Sequence, residues 1–512
     1  MTKRSIAVTM FLCCYGLLTG PWIFWPPSSS ALQLLAFALY SLLAVGLAVE
    51  ITELILALVW SPQTAPLMAG AVRREGTAVL MVVCDDASAA CVESLVPLAV
   101  AGYDVYLLDD SHAPVALSQR QVELLAHLRR PGRCGAKAGN LNHWLARRGA
   151  RYESALLLDA DSQLTVEAAD TLLRAAGHPA NADVALFQAK IEPQAGACSL
   201  MAKILATGAR PRMRVMERVH GPLGLLLSFG HNQLIRLQPV RELGGFEERL
   251  TNEDTVLSLR LAAAGQRAAL VDVWTTDTEP ATVSAYIRRT LRWARQTVEL
   301  FHDPWPKVPL RLKLLLCRQL LAYLLPLVGL LLLGISLGAS FERPTRYWQF
   351  LAHALALRPG YELYGLTFWS TFTASALFIA LRIVLARLTG VEWRALLLAG
   401  LLGNAPAAVM LLPLAGSMLA SASGLQTKFI PTNSGYARQQ DAQIARRLTR
   451  WLTTGVLLSG IMAIVLRHPT NLLLGFNLLW VAYLLLSPVS LFIISIWQRG
   501  AETRSRVKVE AD

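Results

Sequence analysis

The sequence predicts an α/β domain inserted between transmembrane helices, and three observations predict it. Apolar runs long enough to span hydrocarbon lie at both ends of the chain. The stretch between them has mixed polarity and alternates short apolar runs with amphipathic segments. Within that stretch several apolar runs stop abruptly in acids, as in "LLLDADSQL" over 156–164. A short apolar run of this kind reads as a buried strand, and in open α/β sheets ligands sit beyond the carboxyl ends of the strands.

The chain of 512 residues is 54% hydrophobic and carries a formal charge of +13. That is too apolar for an ordinary soluble protein, and the charge is not gathered into one basic tail. Membrane embedding explains both, and no recognisable basic module argues for a nucleic-acid partner. The 7 cysteines have neither CxxC pairing nor metal-ligand spacing, so they read as packing residues of a reducing compartment.

Residues 1–60 read as an N-terminal transmembrane helix pair, Ser5 to Trp25 and Ala31 to Trp60, the second interrupted by Glu50, Thr52 and Glu53. Each reaches the ~20 residues a span requires. Residues 61–285 form the α/β domain, with strands expected in "AVLMVVCDD", "YDVYLLDDS", "ALLLDADS" and "DVALFQAKI". Residues 286–313 are amphipathic and basic and suit a membrane surface. Residues 314–497 return to the membrane through apolar segments near 314–338, 363–386, 396–422, 451–467 and 471–497, and 498–512 form a tail. Lys and Arg mark the inner side. Lys3 and Arg4, Arg288 to Arg318, Arg438 to Arg450 and Arg499 to Lys508 share that side only if 396–422, broken by Asn404, Pro406 and Pro413, does not cross fully. Two spans before the domain and about four after it, with a cytoplasmic domain and tail, follow from this rule.

The chemistry concentrates at the acid-tipped strands. Asp159 and Asp161 are acceptor-only groups at a strand end, suited to a hard divalent cation shared with phosphate oxygens; an isolated DxD is otherwise a solvated turn. Asp85 with Asp86, and Asp109 with Asp110, end two further strands and suggest one shared edge for a sugar-nucleotide. In "CGAKAGNLNHW" Gly135 and Gly139 allow close backbone approach, Lys137 offers a point charge for phosphate, and Asn140 or Asn142 is expected to cap the following helix. A further helix should start near Thr251 or Asn252 and stop at Gly265. Its first-turn acids Glu253 and Asp254 suit the macrodipole, and Asp254 also suits a general base taking a proton from an attacking hydroxyl.

Taken together, "DDS", "KAGNLN", "DADS", "GHNQLIR", "NED" and "RTLRW", in this order and flanked by membrane helices, resemble the membrane-embedded family 2 glycosyltransferases. These include cellulose and hyaluronan synthases and the glucosyltransferases of osmoregulated periplasmic glucans, the type most similar to this chain. The resemblance spans roughly residues 75–440 and implies a GT-A-type domain. It implies that Asp86 and Asp110 contact the uridine of a UDP-sugar and that Lys137, Asp159, Arg289 and Arg292 bind the donor. Asp159 with Asp161 would hold Mg²⁺ or Mn²⁺, and Asp254, beside Glu253, would be the catalytic base. Trp293 would stack under the acceptor sugar, with Gly230, His231 and Asn232 lining the acceptor end. Two departures stand out. Arg289 occupies the position of Gln in the family's QxxRW motif, and "KFIPTNSGYAR" resembles a gating loop, over 425–438, through Phe429 and Thr432 but carries Ser434 in place of its Lys.

The expected function is a processive, inverting transfer of a hexose, glucose first, into a β-linked polysaccharide that crosses the bacterial inner membrane, with envelope export or regulatory proteins as further partners. A non-processive transferase acting on a lipid-linked or short acceptor is the alternative. A transporter with a degenerate nucleotide-binding domain is a third reading, disfavoured by the intact metal and base motifs.

Overall fold

The computed structural model describes residues 2–24, 31–70, 72–193, 199–342, 353, 356–359, 362–402 and 414–423. They fall into two compact units, with boundaries after Trp60 and after Leu316; the segment from Ser417 groups with the residues between those boundaries.

That central unit is built on one seven-stranded sheet. Its strands are β1 (Thr77–Val83), β2 (Asp104–Asp109), β3 (Ala126–Leu128), β4 (Ser154–Asp159), β5 (Val184–Pro193), β6 (Gln233–Arg236) and β7 (Arg267–Asp277), in the order β3-β2-β1-β4-β6-β5-β7. The four strands expected from sequence are β1, β2, β4 and β5. Neighbouring strands run parallel except at β6, which is antiparallel to both β4 and β5. Register brings Val83 opposite Asp109 and Val82 opposite Asp159, so the acidic tips of β2, β1 and β4 emerge side by side.

Both faces of the sheet are covered, which is why β1 and β4 read as continuous apolar runs rather than alternating ones. Val79, Met81, Leu156 and Leu158 pack on one face with Ala168, Ala169, Leu172 and Ala175 of the helix Val166–Gly177. Ala78, Leu80, Ala155 and Leu157 pack on the other with Ala138, Leu141 and Trp144 of the helix Ala136–Arg147. A third cluster joins Val256 and Leu259 of the helix Glu253–Ala263 to Leu227, Leu300, Val308, Leu312 and Leu316.

Helix boundaries agree with the sequence at one site and correct it at another. Glu253–Ala263 starts after Asn252 and ends before Gly265, whose φ of +84° is the left-handed turn expected of a stop. Neither Asn140 nor Asn142 is a cap. The helix begins earlier, behind Gly135 at φ 72°, and both asparagines lie inside it. Their amides serve tertiary contacts instead: Asn140 Nδ2 donates to Leu108 O at 3.2 Å and Asn142 Nδ2 to Phe246 O at 2.8 Å. The amphipathic segment forms the helix Val283–Glu299, capped by Thr282, whose hydroxyl accepts from Ala285 N.

In the other unit the helices Lys3–Phe24, Ala31–Val59 and Glu362–Leu388 pack through Leu18, Ala44, Ala48 and Ala374. Among the described residues three helices are long and apolar enough to cross a membrane, over Leu34–Val59, Leu310–Gly329 and Gly365–Leu388. Lys3–Phe24 forms where a further span is expected but is not one of those three. Of the 396–422 segment, Trp393–Leu402 is helical and 403–413 lies outside the described residues, as do the 451–467 and 471–497 segments and the gating-loop residues Phe429 and Thr432.

Phe187 has no exposed surface in the sheet core. Phe187→Ala should cost about 3–5 kcal/mol through lost burial and an unfilled cavity. Thermal unfolding of the detergent-solubilised chain, with Phe187→Leu as a milder control, checks this.

Candidate active site

The reversal at β6 brings residues distant in sequence to one edge. A loop that enters an antiparallel strand starts at the end where its parallel neighbours finish, so Gly230, His231 and Asn232, just before β6, meet Asp159, the last residue of β4, and Asp161, just after it. The end of β7 joins them: Gln163 and Thr276 form a backbone bridge, and Asn232 Nδ2 donates to Thr276 O at 3.3 Å.

Lys137 stands at the centre. Its Nζ donates to Asp159 Oδ1 at 2.6 Å and to Gly230 O at 2.9 Å, and lies 3.5 Å from Glu253 Oε1. Burial works against the ammonium charge, but Asp159 and Glu253 outweigh it and the Lys137 pKa rises. Asp159 mirrors this: burial opposes its charge, yet Lys137, His231 and Arg292 hold its carboxyl below the ordinary value. Arg292 is itself mostly buried, which depresses its pKa, while Asp159, Glu253 and Asp161 favour its charge.

Asp254 sits in the first turn of its helix. A Cβ at Gly230 would lie 2.7 Å from Asp254 Oδ2, so only glycine fits beside this carboxylate, and Gly230 also has a φ of +85°. Ser258 fixes the two relative to each other: its hydroxyl donates to Asp254 O at 3.0 Å and accepts from Ser228 N at 2.8 Å. Burial and then neighbouring Glu253 push the Asp254 carboxyl up to about 7, against the pull of Lys137.

Three more carboxyls are pushed up to about 7, in each case chiefly by burial. Asp161 also feels Asp277 and Asp159, Asp277 feels Asp159 and Glu279, and Asp86 feels Asp161 and Asp159. His231 bridges part of this group, with Nδ1 at 3.0 Å from Ser162 Oγ and Nε2 at 3.6 Å from Asp277 Oδ2. Asp277 and Glu279 were not singled out by sequence reading; the signal was an acid-tipped strand end, "VWTTDTEP", like the three that were.

The remaining acids divide by role. Asp109 is sealed in, accepting from Ser111 N, Val115 N and His127 Nε2. Asp110 is buried and gripped by Arg130, Nε at 2.9 Å and Nη2 at 2.7 Å. Arg130 also donates to Cys134 O and Ala136 O, which ties β2 to the turn that starts the helix of Lys137. Asp85 accepts from His112 N at 2.7 Å. Of the acids that end β1 and β2, Asp86 is therefore the one that faces the Asp159–Asp161 pair. Trp293, half-exposed on the amphipathic helix, has Arg289 over its ring at 4.8 Å, and Arg289 Nη2 lies 2.8 Å from Glu279 Oε2.

Asp161, Asp159, Asp86 and Asp277 offer hard oxygen donors only, the donor chemistry that Mg²⁺ or Mn²⁺ requires, and their mutual repulsion is what a cation would relieve. Among the described residues no group of three or more His, Cys, Asp and Glu closes into a ready cage. An ion completed by waters and phosphate oxygens needs only one or two of these carboxylates.

The raised carboxyls fix a pH dependence. A group whose folded pKa is about 7 against an ordinary 3.8 holds its proton in the native state after the unfolded chain has released it. Stability is therefore lost as pH rises from about 4 through about 7. Without divalent ions, Asp161→Asn should raise Tm over wild type by about 2–4 °C at pH 8 and leave it unchanged at pH 4, by differential scanning fluorimetry.

The sequence model of the glycosyl transferase family group 2 matches residues 155–419, slightly more than half of the chain. The chain is 32% identical over 165 residues to glucans biosynthesis glucosyltransferase H of Klebsiella pneumoniae, covering 28% of this chain and 18% of that protein. It is 28% identical over 270 residues to the protein of the same name from Caulobacter vibrioides, covering 46% and 39%. The chain thus matches less than half the length of these curated relatives. Among solved structures, the mannosyltransferase PcManGT from Pyrobaculum calidifontis, in complex with GDP-Man and Mn²⁺, aligns with a TM-score of 0.44 at 18% identity over 69% of this chain and 98% of that one. The match that runs from β4, with its Asp159–Asp161 pair, through the helix of Asp254 and that of Trp293 is the one that decides: this chain belongs to the glycosyl transferase family group 2.

Proposed function

We propose that the chain is a membrane-embedded, inverting glycosyltransferase of the GT-A type that moves a hexose, glucose first, from a UDP-sugar onto a growing β-linked polysaccharide and passes the polymer across the inner membrane. The observation that carries the reading is the part-buried Asp254 carboxylate, set against Gly230 and next to the Lys137–Asp159 edge.

In this reading an acceptor hydroxyl oxygen attacks the anomeric carbon of the donor. The bond from that carbon to the diphosphate oxygen breaks with its electron pair, and the hydroxyl proton passes to Asp254. Lys137 and Arg292 supply fixed positive charge where the leaving diphosphate gains negative charge. Asp161 and Asp159 would hold Mg²⁺ or Mn²⁺, which supplies Lewis-acid stabilisation of that same diphosphate. Gly230 keeps the space beside Asp254 open, and Trp293 offers an apolar platform for the acceptor ring. Asp86 lies on the donor side, whereas Asp110 acts through its Arg130 partner to hold the start of the helix that carries Lys137. The likeness to glucan glucosyltransferases supports glucose as the sugar, the long apolar helices support a multi-pass chain, and the Lys and Arg that flank them support a cytoplasmic catalytic domain.

A base must be ionised to accept a proton, so turnover should rise with pH through about 7, where Asp254 titrates. Asp254→Asn should lower UDP release about 10²–10⁴-fold. The measurement is UDP release by the full chain in nanodiscs with Mg²⁺ or Mn²⁺ across a panel of UDP-sugars, with product sized on a gel. A long polymer from one donor supports processive synthesis. Short products point to the non-processive transferase, and turnover retained in Asp254→Asn removes this residue as base.

A further inference from the structure

Arg289 stands where the family's motif carries Gln, and its surroundings assign it work that a neutral amide would not do. Its Nη2 lies 2.8 Å from Glu279 Oε2 as an ion pair, and its central carbon lies 4.8 Å from the centroid of the Trp293 ring, one helical turn further on. Both charged side chains are largely withdrawn from water, at 17% and 13% exposure. Glu279 follows the end of β7 by two residues, so the contact links the sheet edge to the amphipathic helix. Arg212, from the helix Ala209–Val215, also lies within reach of the Glu279 and Arg289 charges.

The two arginines of the motif face different partners. Arg292 lies in the field of Asp159, Asp161 and Glu253, where a diphosphate would sit. Arg289 lies in the field of Asp277 and Glu279. An arginine that answers a carboxylate's charge while its guanidinium lies over an indole engages both neighbours at once, which a neutral amide does not. With glutamine at position 289, Glu279 would be a buried carboxylate lacking this cation.

We infer that Glu279, Arg289 and Trp293 form a brace that fixes the plane of the indole, and that Arg289 is a positioning residue for the acceptor platform rather than a ligand of the donor. The inference rests on the proposed function for the role of Trp293, and on the geometry alone for the brace. Its consequence is a split between donor binding and acceptor use. Loosening the indole leaves UDP affinity intact but lets water compete with the acceptor sugar for the donor, so sugar incorporated per UDP released falls.

The test uses the full chain in nanodiscs with Arg289→Gln, Glu279→Gln, the double variant and Arg289→Lys. Calorimetry reads UDP affinity, and labelled donor reads transfer against hydrolysis. Each neutral single variant should keep UDP affinity within about twofold while the transfer-to-hydrolysis ratio falls about tenfold, and the double variant should be no worse than the poorer single one. Arg289→Lys, which keeps the charge but not the flat face, should fall between wild type and Arg289→Gln. Loss of UDP affinity of about tenfold or more in Arg289→Gln, with Glu279→Gln unaffected, would make Arg289 a donor ligand and overturn the inference. Multiplying effects in the double variant would also overturn it. A wild-type chain with no affinity for UDP would sink the proposed function, and the brace would then be judged by Tm across the same four proteins: non-additive shifts support it and additive shifts reject it.

Discussion

Carboxylates gathered at one sheet edge repel one another, and the contact that lets this edge form is the part-buried ammonium of Lys137. Its donors reach Asp159 at the tip of β4 and the Gly230 carbonyl at the entry to β6, and its charge lies close to Glu253 at the head of the next helix. A buried charge is tolerable only when paired and hydrogen-bonded, and here the pairing partners come from three separate elements. The same contact therefore neutralises charge and sets the relative position of the donor edge and the candidate base. Arg130 secures it from behind by clamping Asp110 and the carbonyls of Cys134 and Ala136, which fixes the loop whose Gly135 and Ala136 both adopt positive φ.

Strand direction explains why so many functional groups converge. In a purely parallel sheet only the residues that follow strands reach the carboxyl edge. One reversed strand adds the residues that precede it, and β6 thereby delivers Gly230, His231 and Asn232 to a place that β1, β4 and β7 supply with Asp86, Asp161 and Asp277. The backbone bridge between Gln163 and Thr276 closes the circle on the far side.

The parts of this arrangement legible in the sequence are those in which local pattern and chemistry coincide. Apolar runs covered on both faces are continuous and end sharply, so β1, β2, β4 and β5 with their acidic tips could be read directly. β7 could not, because its exposed and half-buried positions, Asp272 and Trp274 among them, break the run, and Asp277 and Glu279 went unread with it. β6 is four residues long, too short to announce a strand, so the proximity of "GHN" to "DADS" could come only from family likeness. The Asn140 and Asn142 error has a different cause. Asparagine before an apolar stretch is a capping signal, but a left-handed glycine upstream started the helix sooner, and tertiary acceptors on Leu108 and Phe246 used the amides. Whether Asp110 faces a ligand or an arginine is likewise a question of three-dimensional partners, which spacing does not encode.

The unit of apolar helices shows the same rule of charge compensation applied with both partners supplied by the helices themselves. Glu50 and Glu53, which interrupt the second apolar run, both meet Arg318, at 3.1 and 2.6 Å. Glycine at 46 brings the helix Ala31–Val59 close to the Leu325 side chain of the helix Leu310–Glu342, so the interruption and its answer lie on neighbouring helices. There, cation and carboxylates are matched by contacts within the protein. At the sheet edge they are not: Lys137 answers Asp159, while burial, reinforced by neighbouring carboxylates, pushes Asp86, Asp161, Asp254 and Asp277 up to about 7. An excess of acceptor oxygens beside the Lys137 ammonium and the Arg292 guanidinium lowers the stability of the free protein, and it is the set of groups that a cation and a phosphate entering together would satisfy. That imbalance is the physical feature that distinguishes this candidate site from the matched charges of Glu50, Glu53 and Arg318.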